Sequence, residues 1–184
     1  GSGRAMTATS ERVRVGIVGA GGVGERHARV ITGLATADVV GVADPDHRRA
    51  GPVAAACGAP AFPDARALIE AVRPDALYVC VPPDAHGEPE MLAVEHGLAL
   101  FVEKPLAADL ATAERLAAAI AGAGLVTATG YHWRYLDTVR HARDLLAGRS
   151  IGFVAARWLD KVPPPAWWTR RDRSGGQVVE QATH

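Results

Sequence analysis

A chain of 184 residues is long for one α/β domain of roughly 120 to 150 residues and short for two complete ones, so its length predicts one domain and part of a second. Hydrophobic residues at 48% and charged residues at 22% exclude a disordered or low-complexity chain. Twenty basic side chains against twenty acidic ones leave no global field to recruit nucleic acid or an anionic membrane, and no run of about 18 apolar residues is present to span one.

The opening GSGRAM lacks the apolar core of a secretory signal, which predicts a cytoplasmic protein. Gly1–Ala5 read as a tag remnant before Met6, and residues 1–11 as a disordered start. VRVGIV, 13–18, is a short run of β-branched residues leading into glycines, the pattern of a buried parallel strand, and a helix over 23–35 follows. Further strands are predicted at 39–44, 76–81, 99–103 and 125–130, and Ala-rich segments of helical period lie at 47–57, 64–72, 86–96 and 109–121. This alternation predicts a doubly wound α/β domain over 12–131, a parallel sheet covered on both faces. Cys57 and Cys80 fall in a helical and a strand pattern; both read as reduced and structural, and neither has metal-ligand spacing.

The texture changes after residue 131. All four tryptophans, Trp133, Trp158, Trp167 and Trp168, lie beyond it. A helix over 137–147, a strand over 151–159 and a proline-stiffened loop KVPPPAWW predict the start of a second α/β domain over 132–184, left incomplete. The tryptophans suit a face that binds a ring, and equally suit a core or an interface.

Gly19, Gly21 and Gly24 form a G-x-G-x-x-G, with Gly22 and Val23 in the same turn, between a predicted strand and a predicted helix. Such glycines permit a tight turn, backbone approach to a pyrophosphate and close helix packing, while the helix start offers unpaired N–H groups. Asp44 closes the next strand twenty residues after Gly24, where a carboxylate can accept from an adenosine ribose. This pairing predicts a dinucleotide cofactor. An acid there repels a 2′-phosphate and favours NAD over NADP, although Arg48 and Arg49 follow closely and offset some of that repulsion.

Eighteen of the basic residues are Arg and only Lys104 and Lys161 are Lys. Lys104 sits in Glu103-Lys104-Pro105, which closes a strand, and the carboxyl ends of parallel strands face the ligand crevice. A lysine there supplies a compact point charge that a guanidinium does not.

GIVGAGGVGERHARVI, VPPDAHGE, FVEKPLA, GYHWRY and SGGQVVEQATH occur in an order that resembles the glucose-fructose oxidoreductase, inositol dehydrogenase and MocA family, from Arg12 to the last residue. The resemblance implies a Rossmann domain followed by an α/β domain whose open sheet carries substrate contacts and subunit interfaces, hence a homodimer or homotetramer. It implies hydride transfer between a nicotinamide and a hydroxyl carbon of a small-molecule sugar, cyclitol or related polyol. Lys104 would then contact the reacting hydroxyl or the nicotinamide ribose, with Glu103 nearby and a cis peptide before Pro105. His184 matches the catalytic histidine, and imidazole titrates where a hydroxyl proton must be exchanged. Glu180, four residues earlier, shares a face with it if the segment is helical; the family usually has Asp there, and Gly in place of Ala182. Pro82 and His86 match a loop edging the nicotinamide pocket, although His86 equally reads as a helix-start residue without a ligand. Trp133 and Arg134 match a segment near the active site, where Arg134 holds a polar substrate group or an interdomain salt bridge; Trp167 joins them as a candidate for stacking on a sugar ring. Two other activities fit the same residues: an NAD-dependent glycosidase, and a non-catalytic dinucleotide-binding fragment.

Overall fold

The computed structural model describes residues 12–183; the expected tag remnant and disordered start within 1–11, and His184, lie outside the described residues. Strands β1 (Val13–Val18), β2 (Ala37–Ala43), β3 (Ala61–Phe62), β4 (Ala76–Val79), β5 (Ala99–Val102) and β6 (Thr127–Thr129) form one sheet in the order β3-β2-β1-β4-β5-β6. The pairs β1–β2, β2–β3 and β5–β6 run parallel, so each needs a crossover, and a helix supplies each one. The helices are α1 (Gly22–Thr32), α2 (His47–Cys57), α3 (Ala65–Val72), α4 (Glu88–Glu95), α5 (Leu110–Ala123), α6 (Asp137–Leu146) and α7 (Arg171–Ser174). This is the doubly wound Rossmann-like arrangement expected from the alternating pattern. Among the described residues, no helix is long and apolar enough to cross a membrane.

Local chemistry sets the helix starts. Asp46, Asp64 and Asp109 each accept a backbone N–H from the first turn of α2, α3 and α5, satisfying donors that a helix start leaves open. Helix α4 begins at Glu88 rather than 86 because Pro83–Ala85 first make a 3-10 turn. Strand β3 was not foreseen, since two residues are too few to leave a periodic signature. The strand expected over 151–159 is not formed, and those residues adopt no regular structure. Ile151, Phe153, Val154 and Leu159 are 55%, 86%, 73% and 92% exposed, so the apolar pattern is present without a core face. A strand also needs a neighbour to pair its backbone, and a favourable pattern does not substitute for one.

The chain groups into two compact units that part within β4, after Tyr78. The core of the first brings Val15, Ile17, Val39 and Val42 from the strands against Ala28 and Ile31 of α1 and Ala50, Val53 and Ala54 of α2. Two glycines inside strands explain the seat of α3. Gly16 and Gly41 are register partners on β1 and β2. A Cβ at Gly16 would lie 2.6 Å from Leu68 Cδ2, and one at Gly41 3.1 Å from Leu68 Cγ. The paired glycines therefore make a flat patch that Leu68, fully buried, fills. In the second unit, β5 turns Leu100 and Val102 inward, and Leu92, Ala93, Leu98 and Leu116 are buried there as well.

Leu68→Ala is expected to cost about 3 kcal/mol of stability, because it removes three carbons from a site closed by backbone on one side. Leu110→Ala, at a residue 72% exposed, is expected to stay within about 0.5 kcal/mol. Urea denaturation of the two variants against the parent chain checks the contrast, and equal losses would refute this account of the α3 seat.

Candidate functional site

In the first unit the candidate nucleotide residues come together at the carboxyl ends of β1 and β2. The loop after β1 hangs from β2 by two bonds: Gly19 N donates to Ala43 O at 2.8 Å, and Ala20 N donates to Asp44 Oδ2 at 2.9 Å. Gly19 has φ of 93°, a conformation side chains resist, and it turns the chain into α1. Gly24 is buried on the inner face of α1 with Ala28 and Ile31, one and two turns on, while Gly22 and Val23 at the helix start are exposed.

Gly21 is the informative glycine. Its backbone is extended, with φ of −71° and ψ of 179°, which any residue adopts, and a Cβ built there meets no atom within 4 Å. The same open space faces Gly22. Neither strain nor packing within the chain demands a missing side chain at either position, so the backbone at the start of α1 is left open to approach. Gly21, the N-cap, has no side chain to satisfy the first N–H groups of that helix.

Asp44 is buried, and each carboxylate oxygen already accepts a backbone N–H, Oδ2 from Ala20 and Oδ1 from Asp46 at 2.8 Å. It thus braces the glycine loop, and since each oxygen has two lone pairs, it keeps acceptor capacity for a further donor. Arg48 is held by Asp46, through Nε–Oδ1 at 3.0 Å and a second bond at 3.1 Å. These bonds hold the Asp46 carboxyl below its ordinary range and balance the Arg48 charge locally.

In the second unit, four segments converge. Strand β4 leads through Pro82 and the 3-10 turn Pro83–Ala85 to His86, which is buried. Strand β5 leads to Glu103 and Lys104, followed by a cis peptide before Pro105. Glu103 Oε2 accepts from the backbone N of Lys104 at 2.9 Å and packs directly over Gly130. The π-helical turn Val178–Ala182 brings Glu180 to Lys104: Nζ donates to Glu180 Oε2 at 2.6 Å and to the Glu180 carbonyl at 3.2 Å. Side-chain exposure is 19% for the lysine and 3% for the glutamate.

Two devices place that turn. Arg173 Nε donates to Asp84 Oδ2 at 2.6 Å, tying α7 to the Pro83–Ala85 turn. Gly175 has φ of 75°, and a Cβ there would lie 3.0 Å from the Ala108 carbonyl, so a side chain is excluded by both conformation and space. Burial pushes the Glu180 carboxyl above its ordinary value of 4.5; the hydrogen bond and charge of Lys104 oppose the rise, Glu103 adds to it and His86 lowers it. Burial also pushes the Cys80 thiol far up, helped by Glu103, which makes it a structural rather than a nucleophilic thiol.

One aromatic ring stands beside the lysine. Trp168 is the ring beside it, with Nζ 5.9 Å from the ring centroid, and Trp167 lies against Trp168 at 5.6 Å. Trp133 stacks on Trp158 at 4.8 Å, and Arg134 lies over the Tyr131 ring at 5.5 Å. Trp168 also lines a cleft of about 340 Å³ with Lys161, Arg171, Ser174, Gln177 and Gln181. Sequence reasoning placed Trp168 only within a ring-binding loop, and it passed over Glu90, the buried partner of His86; spacing four apart on a helix was the available signal for the second.

A protein-family model described as an oxidoreductase family with an NAD-binding Rossmann fold matches residues 13–131. Inositol 2-dehydrogenase 3 of Saccharopolyspora erythraea is 34% identical over 142 residues, which cover 76% of this chain and 42% of that protein. D-glucoside 3-dehydrogenase of Escherichia coli is 30% identical, over 96% of this chain and 52% of its own. A crystal structure of myo-inositol dehydrogenase from Lactobacillus casei, in complex with NAD(H) and myo-inositol, superposes with a TM-score of 0.68 at 30% identity, covering 73% of this chain and 41% of that one. The chain thus spans about half the length of the curated relatives it matches.

A carboxyl whose value is raised on folding favours the folded state while protonated and loses that advantage as pH climbs through the raised value. The stability of the parent chain relative to Glu180→Gln is therefore expected to fall as pH rises from about 4.5 and to level off above the raised value. Urea denaturation of both proteins across that range checks it; a difference that grows with pH would show the Lys104 attraction to outweigh burial.

Proposed function

The chain belongs to the oxidoreductase family with an NAD-binding Rossmann fold, and from that premise we propose that the protein transfers a hydride between a nicotinamide dinucleotide and a hydroxyl-bearing carbon of a sugar, cyclitol or related polyol. The observation that carries this reading is the largely buried Lys104–Glu180 pair at the carboxyl end of β5. Removing two opposite charges from water costs several kcal/mol for each ion, and such pairs are seldom a route to stability, so a lysine kept there has chemical use. The similarity to dehydrogenases of inositols and glucosides supports the substrate class.

The bound dinucleotide supplies the hydride acceptor or donor. The residues of the first unit hold it: N–H groups at the start of α1 meet the pyrophosphate across Gly21 and Gly22, and Asp44 accepts from a ribose hydroxyl. The fit rests on the open backbone at Gly21 and Gly22 and on the unused lone pairs of Asp44. The cofactor is NAD rather than NADP, since the carboxylate of Asp44 repels a 2′-phosphate and Arg48 is engaged with Asp46.

Lys104 Nζ carries three hydrogens, and Glu180 takes two of them through its carboxylate and its carbonyl. The third donates to the substrate oxygen, and the charge steadies that oxygen as its proton departs. Glu180 orients the ammonium and balances its charge. His184 accepts the hydroxyl proton during oxidation and returns it during reduction. Trp168 and the cleft beside it offer a ring face and polar groups for the substrate, with Trp133, Trp167 and Arg134 as outer contacts. Assembly as a homodimer or homotetramer belongs to the same reading.

Titration of NAD against the 184-residue chain is expected to saturate, and Asp44→Ala is expected to weaken binding by about tenfold or more through loss of the loop brace and the ribose contact. No binding at millimolar NAD, or tighter binding of NADP, would overturn the cofactor assignment. In a turnover assay, Lys104→Met is expected to lower kcat on inositols or glucosides by about 100-fold or more, followed by the absorbance of the reduced nicotinamide. An unchanged kcat would remove Lys104 from the mechanism.

A further inference from the structure

Lys161 is the second of the chain's two lysines, and no step set out above uses it. It lines the cleft of about 340 Å³ beside Trp168, in company with Arg171. Neither cationic head has an ion pair or a hydrogen bond among the described residues. This sets Arg171 apart from its neighbours, since Arg170 is bound to Asp172 at 2.6 Å and Arg173 to Asp84 at 2.6 Å. The carboxylate on the cleft, Asp160, accepts the backbone N of Lys161 through Oδ1 at 2.7 Å. Two positive charges therefore line the cleft against one negative charge that is partly engaged.

Gln181 supplies a second, independent observation. Only 7% of it is exposed, it lines the same cleft, and its side-chain amide makes no hydrogen bond among the described residues. Buried polar groups are nearly always paired, so a partner for this amide belongs in the cleft. Gln181 follows Glu180 on the same π-helical turn, which fixes the unpaired amide next to the residue that holds Lys104. Trp168 joins the two places as well, since it walls the cleft and its ring centroid stands 5.9 Å from Lys104 Nζ. The cleft volume lies within the range of small-molecule sites, roughly 300–1,000 Å³.

We propose that this cleft is the subsite for an anionic substituent, phosphate or carboxylate, of the sugar whose hydroxyl meets Lys104. Arg171 offers paired N–H donors to such a group and Lys161 a point charge, while Gln181 pairs its amide with a hydroxyl or an anionic oxygen. A neutral polyol leaves both cations to water; a sugar phosphate or sugar acid engages them. The substrate role rests on the hydride-transfer reading, whereas the preference of the cleft for an anion rests on its own residues.

Titration of the 184-residue chain with glucose 6-phosphate, glucuronate, glucose and inorganic phosphate at low ionic strength, where exposed charges are least screened, tests the subsite. The readout is the NMR signal of the Trp168 indole N–H, identified by its loss in Trp168→Phe. At least one of the two anionic sugars is expected to bind about tenfold or more tighter than glucose, and the tighter of the two names the substituent. Arg171→Gln and Lys161→Gln, both at exposed positions, are each expected to reduce that preference about fivefold or more. The Kd for glucose is expected to stay where it was, a split that a merely structural loss does not give. Equal affinity for charged and neutral sugars, or a preference that survives both substitutions, would overturn the proposal. So would inorganic phosphate binding as tightly as glucose 6-phosphate, which leaves an anion site without a sugar. A preference for anionic sugars in a chain that binds no NAD would uphold the anion site and overturn its substrate role together with the hydride-transfer reading.

Discussion

An ammonium taken largely out of water must find its counter-charge within the fold, and much of the second unit is arranged around that requirement at Lys104. Strand β5 delivers the lysine, but a strand end cannot supply a carboxylate from the opposite side. That comes from Glu180, 76 positions later, and only because Gly175 reverses the chain against Ala108 while Arg173 anchors α7 to Asp84. Burial raises the Glu180 carboxyl and Lys104 lowers it, a balance suited to a pair that holds its geometry while a neighbouring proton moves.

The first unit solves a different problem, the presentation of bare backbone. Its glycine loop is suspended from the end of β2, and Asp44 performs the suspension with a buried carboxylate. A group proposed to touch the ribose thus also fixes the loop proposed to meet the pyrophosphate. The paired glycines of β1 and β2 act one layer lower, lowering the sheet surface so that Leu68 can seat α3. Glycine therefore appears in this unit for three unrelated reasons, a positive φ at Gly19, a close packing contact at Gly16 and Gly41, and an open approach at Gly21.

Legibility followed the range of the interaction involved. Strands β1, β2, β4, β5 and β6 and helices α1 to α6 were readable because apolar periodicity and capping aspartates act within a few residues. Strand β3 was too short to register, and residues 151–159 carried a strand pattern without a partner for their backbone. The same limit applied to the site. Gly19, Gly21, Gly24, Asp44 and Lys104 could be singled out from spacing and position, whereas the ring beside Lys104 is Trp168, and the sequence reading had singled out its neighbour Trp167.

By itself, then, the sequence determined the class of fold, the turn that presents bare glycines and the lysine at a strand end, because each is written in residues adjacent along the chain. The tertiary structure decided that Glu180 is the counter-ion of Lys104, that one oxygen of Asp44 braces the glycine loop while the other holds Asp46 N, and that Glu90 divides its carboxylate between a helix start and His86. Each of those depends on which side chains are deprived of water together, and exclusion from water is a property of the packed chain, beyond the reach of any local pattern.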